Sequence, residues 1–373
     1  MHIGFDAKRL FHNRTGLGNY GRTLVGNLLT YAPAHRYYLY TPSRPVPSPA
    51  DELAARDGIT VRQARRWGAL WRSFLVGNQL KKDGIAIYHG LSHEIPLHLP
   101  PGVRSLVTIH DLIFEKFPHL YPLVDRRIYR QKFRYACRHA DHIIAISDNT
   151  KRDIIELYGI APEKVSVIYQ ACHPRYYVSG APDQMPPLPA GLPPQYMLYV
   201  GSLEPRKNIG AILSAMARLS PDIRLPLVAV GRDSRYRKKL VEQAEKLRIS
   251  KEVIWLTNVT DDAVLQRLYL NAQVLVYPSR YEGFGLPVAE ALLSRTPVVT
   301  SSTSALPEAG GPDSLYVDPG DTNQLAAAIE RALTDTELRQ RMIEKGFVYA
   351  KRRFDPQSLT SRLTALYRRV RGD

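Results

Sequence analysis

Apolar residues in this chain cluster in short continuous runs. In the first half these are HIGFD (2–6), YYLYT (37–41), IAIYH (85–89), SLVTIH (105–110), HIIAIS (142–147) and VSVIY (165–169). Runs of this length, rich in β-branched and aromatic residues, read as strands buried on both faces. Segments with helical spacing lie between them. The proline-rich stretch VSGAPDQMPPLPAGLPPQ (178–195) cannot continue as helix or central strand, because proline lacks an amide hydrogen and fixes φ. It reads as a linker. The alternation then restarts with YMLYVG (196–201), LPLVAVG (225–231), VIWL (253–256), QVLVYP (273–278), PVVTS (297–301) and SLYVD (314–318). Strands alternating with helices predict parallel sheets covered on both faces. The expected architecture is therefore α/β, with two Rossmann-like domains facing a central cleft. The domains span 1–177 and 196–354, joined by the linker 178–195. A final amphipathic helix, 355–373, is expected to cross back to the first domain. Ligands of such sheets sit outside the carboxyl ends of the strands.

The loops at those ends carry the candidate chemistry. In PSRYEGFGLPVAEAL (278–292) a strand runs into Glu282, Gly283, Phe284, Gly285 and Leu286, and Pro287 suits the first turn of the following helix. The glycines allow close backbone approach to a ligand. The loop amides and the helix dipole attract an anion such as a phosphate. Glu290 is expected in the same first turn, where a carboxylate would accept the paired hydroxyls of a ribose. The plainer reading is an acidic residue complementing the dipole. Upstream, VGSLEPRKN (200–208) places Arg206 and Lys207 before a helix, well placed for a diphosphate; solvated surface charge is the alternative. Ser202 in this loop, Gly231 after the next strand, and Asn258 with Val259 in TNVTDDAV (257–264) are weaker candidates for a nucleobase pocket and its surroundings.

In the first half, Gly16 and Gly18 open a helix within TGLGN (15–19), where amides would meet a phosphate or simply make a tight connection. His110 and Asp111 end the run VTIHD (107–111). His89 ends the preceding strand, with His93 following. These are candidates for binding sugar or acceptor, against the alternative of satisfied structural histidines. His89 and His93 have no evident third partner for a metal.

Composition narrows the class. The formal charge of +16 implies an acidic partner: nucleic acid, an anionic lipid surface or a phosphate-bearing substrate. No recognised nucleic-acid module accompanies the charge. Two cysteines, Cys137 and Cys172, are too few for a disulfide framework and suit a reducing compartment. The N-terminus does not read as a signal peptide, and no apolar run is long enough to span a bilayer. In RQARRWGALWRSFLVGNQLKK (62–82), Trp67 pairs with Trp71 and Leu70 with Phe74 at helical spacing, among Arg62, Arg65, Arg66 and Arg72. This segment either lies on an anionic membrane or packs its aromatics on the sheet. The basic segment 125–140 poses the same choice.

The pairing of GSLEPRKN with EGFGLPVAEAL, two glutamates separated by seven residues, resembles the retaining glycosyltransferases of GT-B fold in family 4. The domain plan matches over essentially the whole chain. The resemblance implies that Glu282 contacts the donor sugar and orients its hydroxyls, that Glu290 binds the ribose, and that Arg206 and Lys207 neutralise the diphosphate. It puts Gly16 and Gly18 close to that diphosphate and has His110 hydrogen-bonding the donor sugar. Many members carry Arg directly after the glycine of the first strand in this half; here Ser202 stands there, which leaves open whether Arg206 alone supplies the second cation. The resemblance further implies a sugar nucleotide as substrate, no cofactor, no obligatory metal, and same-face attack by the acceptor hydroxyl without a protein nucleophile. GSLEPRKN and HGLSHEIPL look most like the mannosyl- or rhamnosyl-transferring members that build bacterial surface polysaccharide. The expectation is a cytoplasmic enzyme using GDP-mannose and a saccharide or lipid-linked saccharide acceptor, at the inner face of the plasma membrane. The alternatives are a UDP-sugar-dependent GT-B enzyme (a glucosyl or GlcNAc transferase, an epimerase, a sucrose- or glycogen-type synthase) and, more distantly, a nucleic-acid-binding protein.

Overall fold

A computed structural model describes residues 1–64, 68–177 and 186–372. The chain divides into two compact units, Met1–Ala171 with Phe354–Asp373, and Cys172–Arg353. Residues 172–177 thus group with the second unit. Of the expected linker, 178–185 lies outside the described residues.

The first unit holds a seven-stranded sheet: β1 (His2–Asp6), β2 (Arg36–Thr41), β3 (Ile59–Gln63), β4 (Ile87–Gly90), β5 (Arg104–Ile109), β6 (His142–Ala145) and β7 (Val165–Val167). Its order is β3-β2-β1-β4-β5-β6-β7, every pair parallel. The second unit holds six strands: β8 (Met197–Val200), β9 (Leu227–Val230), β10 (Val253–Leu256), β11 (Val274–Tyr277), β12 (Val298–Ser301) and β13 (Leu315–Val317). Their order, β10-β9-β8-β11-β12-β13, is also wholly parallel. Each sheet reverses its strand order once, between β1 and β4 and between β8 and β11. Those switch points are where the two following loops part and leave a crevice.

The central strands are apolar throughout because helices cover both faces: β4, β8, β9 and β11 are buried at every position. Each fully buried Leu or Val contributes about 1.5–3 kcal/mol. Strand β3 was not among the expected runs. It pairs only with β2 at the sheet edge and is half-buried, so its residues alternate apolar and polar.

Local signals set the helix ends. The helix Asp148–Tyr158 starts at Ser147, whose Oγ accepts the Thr150 amide at 3.0 Å, and stops at Gly159 with φ 64°. The terminal helix Pro356–Arg371 begins at Asp355, which accepts the Ser358 amide at 2.7 Å. It packs in the first unit, where Tyr367 is fully buried.

The expected amphipathic segment 62–82 is broken up. Arg62 belongs to β3 and pairs with Asp83 at 2.8 Å. Arg65, Arg66 and Trp67 lie outside the described residues. Trp71 packs beside Tyr40, with ring centroids 6.4 Å apart. Arg72 is held by Asp6 and by Glu94, the latter at 2.8 Å.

Candidate functional site

Strands β8 and β11 are hydrogen-bonded neighbours, with Leu198 opposite Leu275, so the loops at their carboxyl ends meet. The β8 loop closes in a short 3-10 turn, Pro205–Lys207, ended by Asn208 at φ 61°. The Asn208 amide group donates to Pro278 O at 3.1 Å and to Pro319 O at 2.8 Å, tying this turn to the β11 loop. The Arg280 amide donates to Arg206 O at 2.9 Å. Two backbone segments are thereby locked together before any charged side chain is considered.

Onto this frame Arg206, Lys207 and Glu282 converge. Lys207 Nζ donates to Glu282 Oε1 at 2.6 Å, and Arg206 Nη1 lies 3.0 Å from the same oxygen. Ser279 Oγ donates to it at 2.6 Å and Tyr277 O–H at 3.1 Å. Four donors therefore gather on Oε1. Oε2 receives no donor from the described residues, which leaves it the oxygen able to take a hydroxyl from outside. Burial alone would raise the Glu282 pKa; the charges of Lys207 and Arg206 and the bonds from Lys207 and Ser279 outweigh it and hold the carboxyl at about 2. The group is ionised at every pH the protein works at. Arg206 also reaches Glu204 at 2.6 Å and Tyr281 O at 2.5 Å. Removing the carboxylate would leave two cations facing each other. For a buried pair that costs about 3–5 kcal/mol, less where solvent access screens the charges.

The helix Leu286–Leu293 follows Gly285, whose φ of 113° excludes a side chain; a Cβ there would also meet Leu306 Cδ2 at 2.9 Å. Its first amides have no acceptor within the helix. Gly283 and Phe284 are buried beneath this helix start. Glu290 is the fifth residue of the helix, so it opens the second turn instead of lying in the first, as expected from the sequence. Its carboxyl belongs to another cluster: Tyr269 O–H donates to Oε2 at 2.9 Å. Burial pushes its pKa up to about 8; the Tyr269 bond opposes this and the charge of Asp262 adds to it.

The remaining candidates of this unit make no hydrogen bond to Glu282, Arg206 or Lys207 among the described residues. Ser202 is exposed at the start of the β8 loop. Gly231 is glycine for a packing reason, since a Cβ would sit 2.0 Å from Gly201 O. Asn258 and Val259 follow β10, Asn258 exposed and Val259 partly buried.

In the first unit, Gly16 is the first residue of the helix Gly16–Tyr31, and a Cβ there would meet nothing within 4 Å. Gly18 differs: a Cβ would collide with Asn13 O at 1.7 Å. Packing explains Gly18 and leaves Gly16 facing open space.

The histidines at the strand ends turn inward. His89 is fully buried, with Nδ1 2.7 Å from Tyr367 O–H and Nε2 2.8 Å from Thr108 Oγ1. Burial, with His110 adding, lowers its pKa to about 3. Its expected place in acceptor binding is corrected: both nitrogens are occupied, and it fastens the terminal helix to the sheet. His110 is buried, its Nε2–H donating to Leu91 O at 2.9 Å, with its pKa lowered to about 4 by burial. His93 has φ 65° and stacks on Phe133 with centroids 4.3 Å apart; its Nδ1 accepts the His110 amide at 3.4 Å. Asp111 accepts the Ile113 amide at 3.1 Å. Among the described residues no three His, Cys, Asp or Glu side chains converge as metal ligands.

Tyr277, Ser279, Ser304 and Tyr269 were not singled out from the sequence. Ser304 Oγ accepts the Glu282 amide at 3.0 Å. Tyr277 carries a sequence signal, a phenol closing an otherwise aliphatic strand. Ser304, at φ 56°, carries none.

Residues 16–175 match the family model described as Glycosyltransferase Family 4, and residues 182–348 the one described as Glycosyl transferases group 1. O-antigen chain mannosyltransferase B of Escherichia coli is similar, 28% identical over 384 residues that cover 99% of this chain and 100% of that protein. Among solved structures, sucrose-phosphate synthase from Thermosynechococcus elongatus aligns over 99% of both chains with a TM-score of 0.77 at 19% identity. Anabaena HepE, solved with UDP and glucose, aligns over 98% of this chain and 99% of that one with a TM-score of 0.73 at 18% identity. At such identities the solved structures establish the fold, two parallel-sheet Rossmann-like domains of the GT-B kind.

Proposed function

The chain belongs to the group 1 glycosyl transferases of family 4, and from that premise we propose that it moves mannose from GDP-mannose, with retention, to a saccharide or lipid-linked saccharide acceptor of bacterial surface polysaccharide. The observation that carries this reading is the convergence of Arg206 and Lys207 on Glu282, with one carboxylate oxygen left open. A departing nucleoside diphosphate gains negative charge, and two fixed cations stabilise it at no reorganisation cost. Glu282 Oε2 accepts a donor-sugar hydroxyl and orients the ring. Glu290 accepts the ribose hydroxyls. The amides at the start of the helix Leu286–Leu293 face the phosphates. The acceptor hydroxyl attacks on the face the diphosphate leaves, and a phosphate oxygen takes its proton, so no residue of the chain needs to act as nucleophile.

Mannose is favoured because the full-length similarity is to a protein named as a mannosyltransferase. The second reading, a UDP-sugar donor, is favoured by the similarity in fold to a protein solved with UDP and glucose. No cofactor takes part, and no metal is required. The enzyme acts in the cytoplasm at the inner face of the plasma membrane. A thermal-shift panel of GDP- and UDP-sugars tests the donor: a ligand at about 100 times its Kd adds about 2.7 kcal/mol of stability. GDP-mannose should give the largest shift, unchanged by EDTA, and a larger shift with UDP-glucose would select the second reading. Proton NMR of the product's anomeric signal checks retention.

A further inference from the structure

The helix Leu123–His139 carries an apolar edge that nothing in its own unit covers. Leu123 and Val124 are each 68% exposed and Ile128 44%, preceded by the exposed Leu120. Burial in this helix is confined to Phe133, Ala136 and Cys137. At about 100° per residue those three fix the inward direction. Val124, Arg127, Ile128 and Gln131 then point the opposite way, straight out. The apolar side chains are therefore not core residues left partly uncovered; they form the outer face. Among the described residues, the second unit exposes only Leu270 and Val348 of this class.

The edge is continued beyond the helix. Tyr135 O–H donates to Leu97 O at 2.8 Å, and the Leu97 amide donates to Ser73 O at 2.8 Å, next to the exposed Phe74 and Leu75. The charges along it are predominantly positive. Arg126, Arg127, Arg130, Lys132, Arg134 and Arg138 lie on the helix against Asp125 alone. Arg130 is tied to Glu115 and Lys132 to Glu94 at 3.3 Å. Arg127 is exposed and has no carboxylate partner among the described residues, whereas Arg126 turns toward the unit and buries its Nε.

We infer that this edge is a docking surface for an anionic lipid bilayer, with Leu123, Val124 and Ile128 entering the interface and Arg127 pairing with lipid phosphates. Arginine stems lie along apolar surface while their heads stay with the phosphates. A second copy of the chain is a poorer occupant, because it would set one cationic helix against another. The surface goes beyond the transfer chemistry and needs no acceptor to be tested.

Co-sedimentation with vesicles of equimolar phosphatidylglycerol and phosphatidylcholine, against phosphatidylcholine alone, is the measurement. The protein should bind the anionic vesicles, and binding should weaken as salt rises. The double variant V124D/I128D should lose at least about tenfold in partition, while its Tm and its transfer to a water-soluble acceptor stay unchanged, since both side chains are exposed. The milder V124S/I128S should fall between. Equal binding to neutral and anionic vesicles would overturn the assignment. So would unaltered binding by V124D/I128D, or a shift from dimer to monomer in that variant by light scattering. Failure of the glycosyl-transfer reading would instead show as loss of nucleotide-sugar response in the unmodified protein, with vesicle binding intact.

Discussion

The two sheets share one strand order around their switch points, yet the polar groups at those points behave oppositely. At β8 and β11, Arg206, Lys207 and Glu282 gather in a largely buried charged cluster between the two loops, with one carboxylate oxygen left open. At β4 and β5, His89 and His110 turn into the unit and lose their protons. The difference lies in what each side chain can do when dehydrated. Imidazole can become neutral and fill a core site if its nitrogens find partners. Guanidinium cannot be neutralised, and it stays with a carboxylate or near water. Position at a strand end nominates a residue for a site; the chemistry of the side chain decides whether it faces one.

The largest expected effect breaks the charged cluster. Glu282→Gln keeps the shape and removes the charge. Turnover should fall by about 10²–10³-fold, the range seen when one preorganised group is lost at a reacting centre. The nucleotide diphosphate should still bind, because Arg206 and Lys207 remain and gain freedom. Steady-state kinetics beside nucleotide titration separate the two. Near-wild-type turnover would remove Glu282 from the chemistry, and a parallel collapse in nucleotide affinity would make it a scaffold for the cations.

The opposite member of the comparison is His89. His89→Ala leaves Tyr367 O–H without its ring partner, an unmet buried group costing about 1–3 kcal/mol, while Thr108 Oγ1 keeps its bond with Tyr20 O–H. Chemical denaturation should register that loss, with nucleotide affinity unchanged. A variant of normal stability that cannot transfer sugar would restore His89 to a site. This contrast also marks what the chain made legible. The βα alternation, both sheets and the Arg-Lys/Glu cluster follow from apolar runs and from charges that must keep a counter-charge when dehydrated. Strand β3 escaped because an edge strand is half-buried and lacks a continuous apolar run. The inward turn of His89 escaped because the partner that fixes it, Tyr367, lies 278 residues away. Glu290 falls just past the first turn because the helix starts at Leu286, not later.

Glu290 sharpens the comparison within the second unit, since it is a carboxyl of the same unit pushed the opposite way from Glu282. Its pKa is raised from 4.5 to about 8, chiefly by burial. Linkage fixes the sign: a group with a raised folded pKa contributes stability that is complete below the unfolded value and is lost as pH rises through the folded one. The ligand-free protein should therefore lose stability between about pH 5 and pH 8 through this residue. In the proposed role ribose hydroxyls would donate to the ionised form, so binding would expel the proton. Nucleotide affinity should rise with pH over pH 6–8, by at most about tenfold per unit for one linked proton. Isothermal titration in buffers of different ionisation enthalpy measures the proton released. Glu290→Gln should abolish the slope while leaving Glu282, held at about 2, to act unchanged across the range. A slope that survives in Glu290→Gln would assign the proton to another group and remove the ribose from Glu290.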